Sequence, residues 1–89
     1  MDDVQVIVLV NGTVLISRIA AMVSELGEPD CKLIMPMEVV KDIVGNASLK
    51  DWLSHLTDAT DAIMISSDKI LTLVDPKETL LNDYLNLTK

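Results

Sequence analysis

Phenylalanine is absent from this 89-residue sequence, and Trp52 and Tyr84 are its only aromatic residues. Stacking platforms for bases are therefore scarce, and any core must be built from Val, Ile, Leu and Met. Cysteine occurs once, as Cys31, which excludes an intrachain disulfide and fits a reducing compartment. Arginine also occurs once, as Arg18, and Lys plus Arg total 7 against 14 Asp plus Glu. The net charge of −7 opposes generic binding to phosphate backbones, so no DNA partner is expected, although a local positive site stays open. No apolar run approaches the roughly 20 residues that span a bilayer, and Met-Asp-Asp lacks the basic start of a signal peptide. A soluble, cytoplasmic protein with no membrane partner is the expectation. There is no Gly-rich phosphate loop, and no cofactor is expected.

What the chain does have is aliphatic surface. Apolar residues make up 49% of it, and the mean hydropathy is +0.38. The length allows one domain, 1–89, and so small a domain buries a modest share of its surface. The surplus predicts a homo-oligomer, because large exposed apolar patches are uncommon on soluble monomers.

The organising stretch is Leu9-Val10-Asn11-Gly12-Thr13. Asn-Gly between two β-branched runs predicts a hairpin with a type I′ turn, pairing Val4–Val10 with Thr13 onward. Beyond Ser17, Ile19, Ala20, Val23 and Leu26 suit a helix ending at Gly27, while Ile19, Ala21 and Val23 suit a strand face; periodicity leaves both open. Gly27-Glu28-Pro29-Asp30 reads as a turn and Cys31–Met35 as a third strand. Pro36 marks that strand's end or a sheet edge, with Met37–Val40 as an irregular continuation. After a break at Gly45-Asn46-Ala47, Ser48 and Asp51 resemble a capping box. Leu49, Trp52, Leu53 and Leu56 then predict a short connector helix, Leu49–Leu56. Ala62–Ser66 is a fourth strand, Ser67-Asp68 a turn, and Lys69–Val74 a fifth strand. Asp75 as N-cap, Pro76 at N1 and Glu78 at N3 predict a helix over 76–87 with a Leu80, Leu81, Tyr84, Leu85 stripe.

These residues resemble the Sm-like (LSm) family over residues 4–74. The family's first motif, an apolar strand, Leu-x-Asn-Gly and a strand carrying Gly-x-Leu, reads here as Leu9-Val10-Asn11-Gly12, with Ser17 and Ile19 at the later positions. Its third strand, ending in Glu, resembles Lys32-Leu33-Ile34-Met35 and Glu38. Its second motif, Ile-Arg-Gly-x-x-Ile, resembles Ile65-Ser66-Ser67-Asp68-Lys69-Ile70. The resemblance implies a mainly β fold: a small, five-stranded, strongly bent barrel with a connector over 39–61, and a bent strand through Ser17–Leu26. The family's leading helix is not expected ahead of Val4; the C-terminal helix is expected to cover that open barrel end. The resemblance also implies a ring, in which the fourth strand of one subunit pairs with the fifth of the next. Ile63, Met64, Ile65, Ile70, Leu71 and Leu73 are then the expected subunit interface. Bare edges at these strands would invite aggregation.

Family members bind single-stranded RNA, often uridine-rich, at the inner rim of the ring, through a stacking side chain, an Asn and an Arg. Here Lys32 stands near the Asn position, and Ser66 and Ser67 replace Arg and Gly, followed by Asp68 and Lys69. The implied RNA contacts are Lys32 and Lys69 to phosphate and Ser66 and Ser67 to a base. An ordinary polar turn and a solvated lysine explain the same residues, and the acidic charge favours that reading. The alternative is an acidic protein-interaction ring without nucleic-acid binding.

Other reactive side chains lack partners. His55 has Asp51 four residues away, too little for a metal site or catalysis, and a surface or interface role accounts for it. Glu28 and Asp30 should raise the Cys31 pKa and keep the thiol unreactive. Ser17, Ser54 and Ser66 have no local base, so no triad is visible. Asp2-Asp3 and Asp58/Asp61 could collect a cation, but a solubilising terminus and a helix-end loop explain them better. Trp52 reads as a packing anchor under its own barrel. No enzyme is expected.

Overall fold

A computed structural model describes residues 3–22, 29–54, 56–57 and 61–88, without the side chain at position 3. The expectations on Asp2, Val23, Leu26, Gly27, Glu28, His55 and Asp58 lie outside the described residues. The elements are β1 (Asp3–Leu9), β2 (Val14–Ala21), β3 (Cys31–Lys41), β4 (Ala47–Asp51), β5 (Ala62–Ile65), a 3-10 turn (Ser67–Lys69), β6 (Ile70–Val74) and α1 (Glu78–Leu87). All six strands belong to one antiparallel sheet in the order β4-β3-β2-β1-β6, with β5 paired to the other half of β3's free side. The fold is mainly β with one C-terminal helix, and the sheet does not close into a barrel.

β-branched residues fill β1 and β2, and their side chains alternate between two faces. Ile7 and Leu15 are register partners, as are Ile19 and Leu33. Together with Leu9, the fully buried Ile7, Leu15 and Leu33 form the core, with Ile19, Trp52, Ile65 and Ile70 packed against it. Burying each large aliphatic side chain contributes roughly 1.5–3 kcal/mol. Ile16 and Val6, also partners, lie on the opposite face, where α1 docks.

The sheet bends where β2 and β3 lose step. Ile16 pairs with Met37 and Arg18 with Ile34, so Met35 and Pro36 oppose Ser17 alone. Two residues against one is a β-bulge, which bends the strand. Met35 adopts φ 54°, and Pro36, which has no N–H to donate, sits where the ladder is already interrupted. The single proton of Ser17 Oγ is shared between Arg18 O (2.7 Å) and Ile34 O (3.1 Å).

The expected hairpin forms with a different turn. Gly12 N–H donates to Leu9 O (2.9 Å) and Leu9 N–H to Thr13 O (2.8 Å). Only Gly12 takes a positive φ here, 93°, whereas type I′ requires it at Asn11 as well. The turn is the three-residue kind with a glycine bulge. Asn11 Oδ1 instead accepts the Thr13 N–H at 3.0 Å.

Two further expectations are corrected. The connector helix Leu49–Leu56 is absent: residues 47–51 form β4, with Leu49 opposite Val39, and one tight turn follows, in which Leu56 and Thr57 N–H donate to Leu53 O. The Leu49, Trp52, Leu53, Leu56 spacing suits a helix, but five ladder pairs with β3 outweigh it. β3 continues past Pro36 to Lys41, with the irregularity at Met35-Pro36, in line with the continuation read over Met37–Val40. The final helix starts at Glu78, with Lys77 rather than Asp75 at its N-cap, and the Asp75 carboxylate is engaged elsewhere, its Oδ1 accepting from Gln5 Nε2 (2.9 Å).

Candidate functional site

Strand pairing and one carboxylate assemble the region that holds the expected rim residues. Lys32 is opposite Met64, and Cys31 opposite Ile65, so the β3–β5 ladder carries Lys32 to the strand that leads into Ser66-Ser67-Asp68-Lys69. The 3-10 turn is tightened by Lys69 N–H donating to Ser66 O (3.0 Å). Lys69 O accepts the Val10 N–H at 2.9 Å, which joins this turn to the β1–β2 hairpin. Ser67, Asp68 and Lys69 are exposed, while Lys32 and Ser66 are half-buried.

Asp30 organises the turn from 37 residues away. Its Oδ1 accepts the Ser67 N–H and its Oδ2 accepts the Ser67 hydroxyl, each at 2.6 Å. One carboxylate thus caps the first residue of the 3-10 turn with two hydrogen bonds. The Ser67 hydroxyl, followed by the backbone N–H, holds the Asp30 carboxyl below the ordinary aspartate range. Beside it, burial and then the Asp30 charge push the Cys31 thiol upward, so the thiolate nucleophile is disfavoured. Ser67, expected to meet a base, is already engaged at both its polar groups.

The expected interface residues divide by side. Met64, Leu71 and Leu73 are exposed, at 44%, 67% and 45%. Ile63, Ile65 and Ile70 are half-buried, and Ile65 and Ile70 pack on the core. β5 pairs with β3 and β6 with β1; each has no second strand partner among the described residues. Two apolar edges therefore flank one short turn.

Three features escaped the reading of the sequence. Asp30 carries no local signal, because its partner is distant. Tyr84 is fully buried and places its hydroxyl at the β2–β3 bulge: its one proton is shared between Met35 O (2.9 Å) and Ile34 O (3.0 Å), and its oxygen accepts from Arg18 N–H (3.3 Å). The Arg18 guanidinium lies 5.5 Å from the Tyr84 ring centroid, a cation–π contact. The third is the β3–β4 hairpin tip, where Ile43 stands fully and Val44 largely in solvent. Asp at the first and Gly at the fourth position of Asp42-Ile43-Val44-Gly45 was a readable turn signal.

Between α1 and the sheet lies an open cleft of about 730 Å³, walled by Val6, Val14, Val39, Val74 and Leu80. Among the described residues, no group of three or more His, Cys, Asp or Glu could hold a metal ion. No helix among them is long and apolar enough to cross a membrane.

Residues 2–89 match a family of unknown function, DUF6561. No curated protein matches the chain.

Proposed function

The chain belongs to that family of unknown function, and from this premise we propose that it is a non-enzymatic Sm-like protein that assembles into a homo-oligomeric ring. The carrying observation is the pair of unpartnered edges on β5 and β6, joined by the three-residue 3-10 turn. β1, β2, β3, β5 and β6 take the places of the five barrel strands, and β4 falls within the variable connector. With one free edge on each side of the turn, β5 of one copy can pair with β6 of the next. Such a head-to-tail contact generates a closed ring when the rotation per subunit permits. It would also cover Met64, Leu71 and Leu73, which a monomer leaves exposed. The second of the two motifs that carry the family resemblance, Ile65–Ile70, lies on these two strands and the turn between them.

What the ring binds divides into two readings. Lys32, Ser66, Ser67, Asp68 and Lys69 could line a rim for single-stranded RNA, with both lysines near phosphate. The Asp30 clamp on Ser67 favours the second reading, an acidic protein-interaction ring. It uses the donors a base would need and sets a carboxylate where phosphate would approach. A net charge of −7 adds to that repulsion.

Light scattering over a concentration series tests the assembly. The expected result is a fixed multiple of the 9.8 kDa chain, three or more, that is lost in the Leu71→Lys/Leu73→Lys variant. A wild-type particle of one or two chains at every concentration overturns the ring. Fluorescence anisotropy with U-rich and A-rich RNA then separates the two readings. Binding that weakens in Lys32→Ala/Lys69→Ala and with rising salt favours the RNA rim; absence of binding at low salt favours the protein scaffold.

A further inference from the structure

The β3–β4 hairpin ends in two aliphatic side chains that stand largely in solvent among the described residues. Ile43 is 104% exposed and Val44 75%. Four hydrogen bonds hold the turn in shape. Asp42 N–H donates to Asn46 O (2.9 Å) and Gly45 N–H to Asp42 O (3.0 Å), while Asp42 Oδ1 accepts from Val44 N–H and Asn46 N–H, both at 3.0 Å. Gly45 supplies the positive φ, 88°. The turn is therefore preorganised, and its side chains cannot fold back to bury themselves without breaking it. A rigid apolar knob loses little conformational freedom on docking, which favours a binding role.

A complementary hole opens next to the knob. The cleft between α1 and the sheet has a valine-lined floor, and its volume lies within the roughly 300–1,000 Å³ of ligand-sized sites. Gly45, Asn46 and Ala47 form one lip of that cleft, so knob and hole share an edge on one surface. That adjacency suits a two-fold contact: when one tip enters the neighbour's cleft, symmetry carries the neighbour's tip into the first cleft. Charge fits as well. The cleft lining holds Lys41 and Lys77 beside Asp75 and Asp83, so Asp42 next to the tip has lysines to meet there. A bilayer is disfavoured as the occupant, because Asp42 adjoins the tip and the chain carries −7.

We infer that a second copy of this chain docks by reciprocal exchange of hairpin tips, with Ile43 and Val44 of each copy seated in the α1–sheet cleft of the other. This contact uses neither β5 nor β6 and is independent of the ring proposed above. It joins subunits in pairs, so it doubles whatever particle the strand edges build.

The first test compares particle mass for the full-length wild type and Ile43→Asp/Val44→Asp by sedimentation velocity. Both residues are exposed, so the variant should keep the wild-type circular dichroism spectrum, and its melting temperature should fall only by what the lost association accounts for, converging with wild type on dilution. The expected result is a mass twofold lower than wild type. If the edge reading is also right, the product is still a multimer; if that reading fails, the product is one chain, and the factor of two stands. The second test mixes Val44→Cys chains with Thr79→Cys chains, both in a Cys31→Ser background, because Thr79 lines the cleft. Oxidation should yield the mixed disulfide in excess over both homotypic products, and Ile43→Asp in the Val44→Cys chain should suppress it. An unchanged mass in the double variant, or a mixed product no more abundant than the homotypic ones, overturns the proposal. So does tip-dependent co-sedimentation with phosphatidylcholine vesicles, which would make a bilayer the occupant.

Discussion

Replacing Tyr84 by phenylalanine removes one oxygen atom and leaves the buried ring in place. That oxygen serves three backbone groups at the bulge: Met35 O, Ile34 O and Arg18 N–H. Ile34 O retains the Ser17 hydroxyl, so two groups lose their side-chain partner. A buried polar group left unsatisfied costs about 1–3 kcal/mol, and these sites are only partly buried, so the lower end applies to each. The expected loss is about 2 kcal/mol in total, and at roughly 4–8 °C per kcal/mol the melting temperature should fall by roughly 8–16 °C. Tyr84→Ala also removes the ring and the Arg18 cation–π contact, and should cost about 3–5 kcal/mol. The assay is urea unfolding followed by circular dichroism at one fixed protein concentration, because self-association shifts apparent stability. The reasoning is refuted if Tyr84→Phe loses under about 0.5 kcal/mol. It is equally refuted if the Phe and Ala variants match, for then the hydroxyl at the bulge contributes nothing separate from the ring.

Two further outcomes follow from the turns. Because the two Ser67 hydrogen bonds lower the Asp30 pKa on folding, their stabilisation is fully present above the unfolded value of about 3.9. It is lost as pH falls from there through the lower folded value. Stability measured against pH should therefore drop more steeply in wild type than in Asp30→Asn across that acidic window, and parallel curves would refute the clamp. Gly12→Ala should cost about 1–2 kcal/mol, since φ is 93° while an added Cβ meets nothing within 4 Å. Chemical denaturation measures it, and a neutral result would mean that the turn relaxes to another form.

Much of the sheet was legible because its signals are local. β1, β2, β5 and β6 announce themselves through β-branched runs, and Asn11-Gly12 through its tolerance for a tight turn. α1 is readable from the Leu80, Leu81, Tyr84, Leu85 stripe. At Leu49–Leu56 a helical spacing pointed the wrong way. Whether residues 47–51 coil or extend depends on an open half of β3 beside them, and no local pattern reports that. The candidate site was half legible: Lys32 and Ser66–Lys69 were named, and Asp30 was named beside Cys31, but the reach of its carboxylate to Ser67 was not.

Residue order alone settled that β1, β2, β5 and β6 extend, that the chain reverses at Asn11-Gly12 and that the core is largely aliphatic, since each follows from side-chain shape and backbone preference within a few neighbours. Tertiary structure decided what crosses long stretches of chain. Asp30 reaches Ser67, Tyr84 reaches the bulge that Ser17 and Pro36 create, and the β3–β4 hairpin thrusts Ile43 and Val44 outward. Those contacts depend on where the sheet bends, and the bend exists only once β2 and β3 have paired out of step.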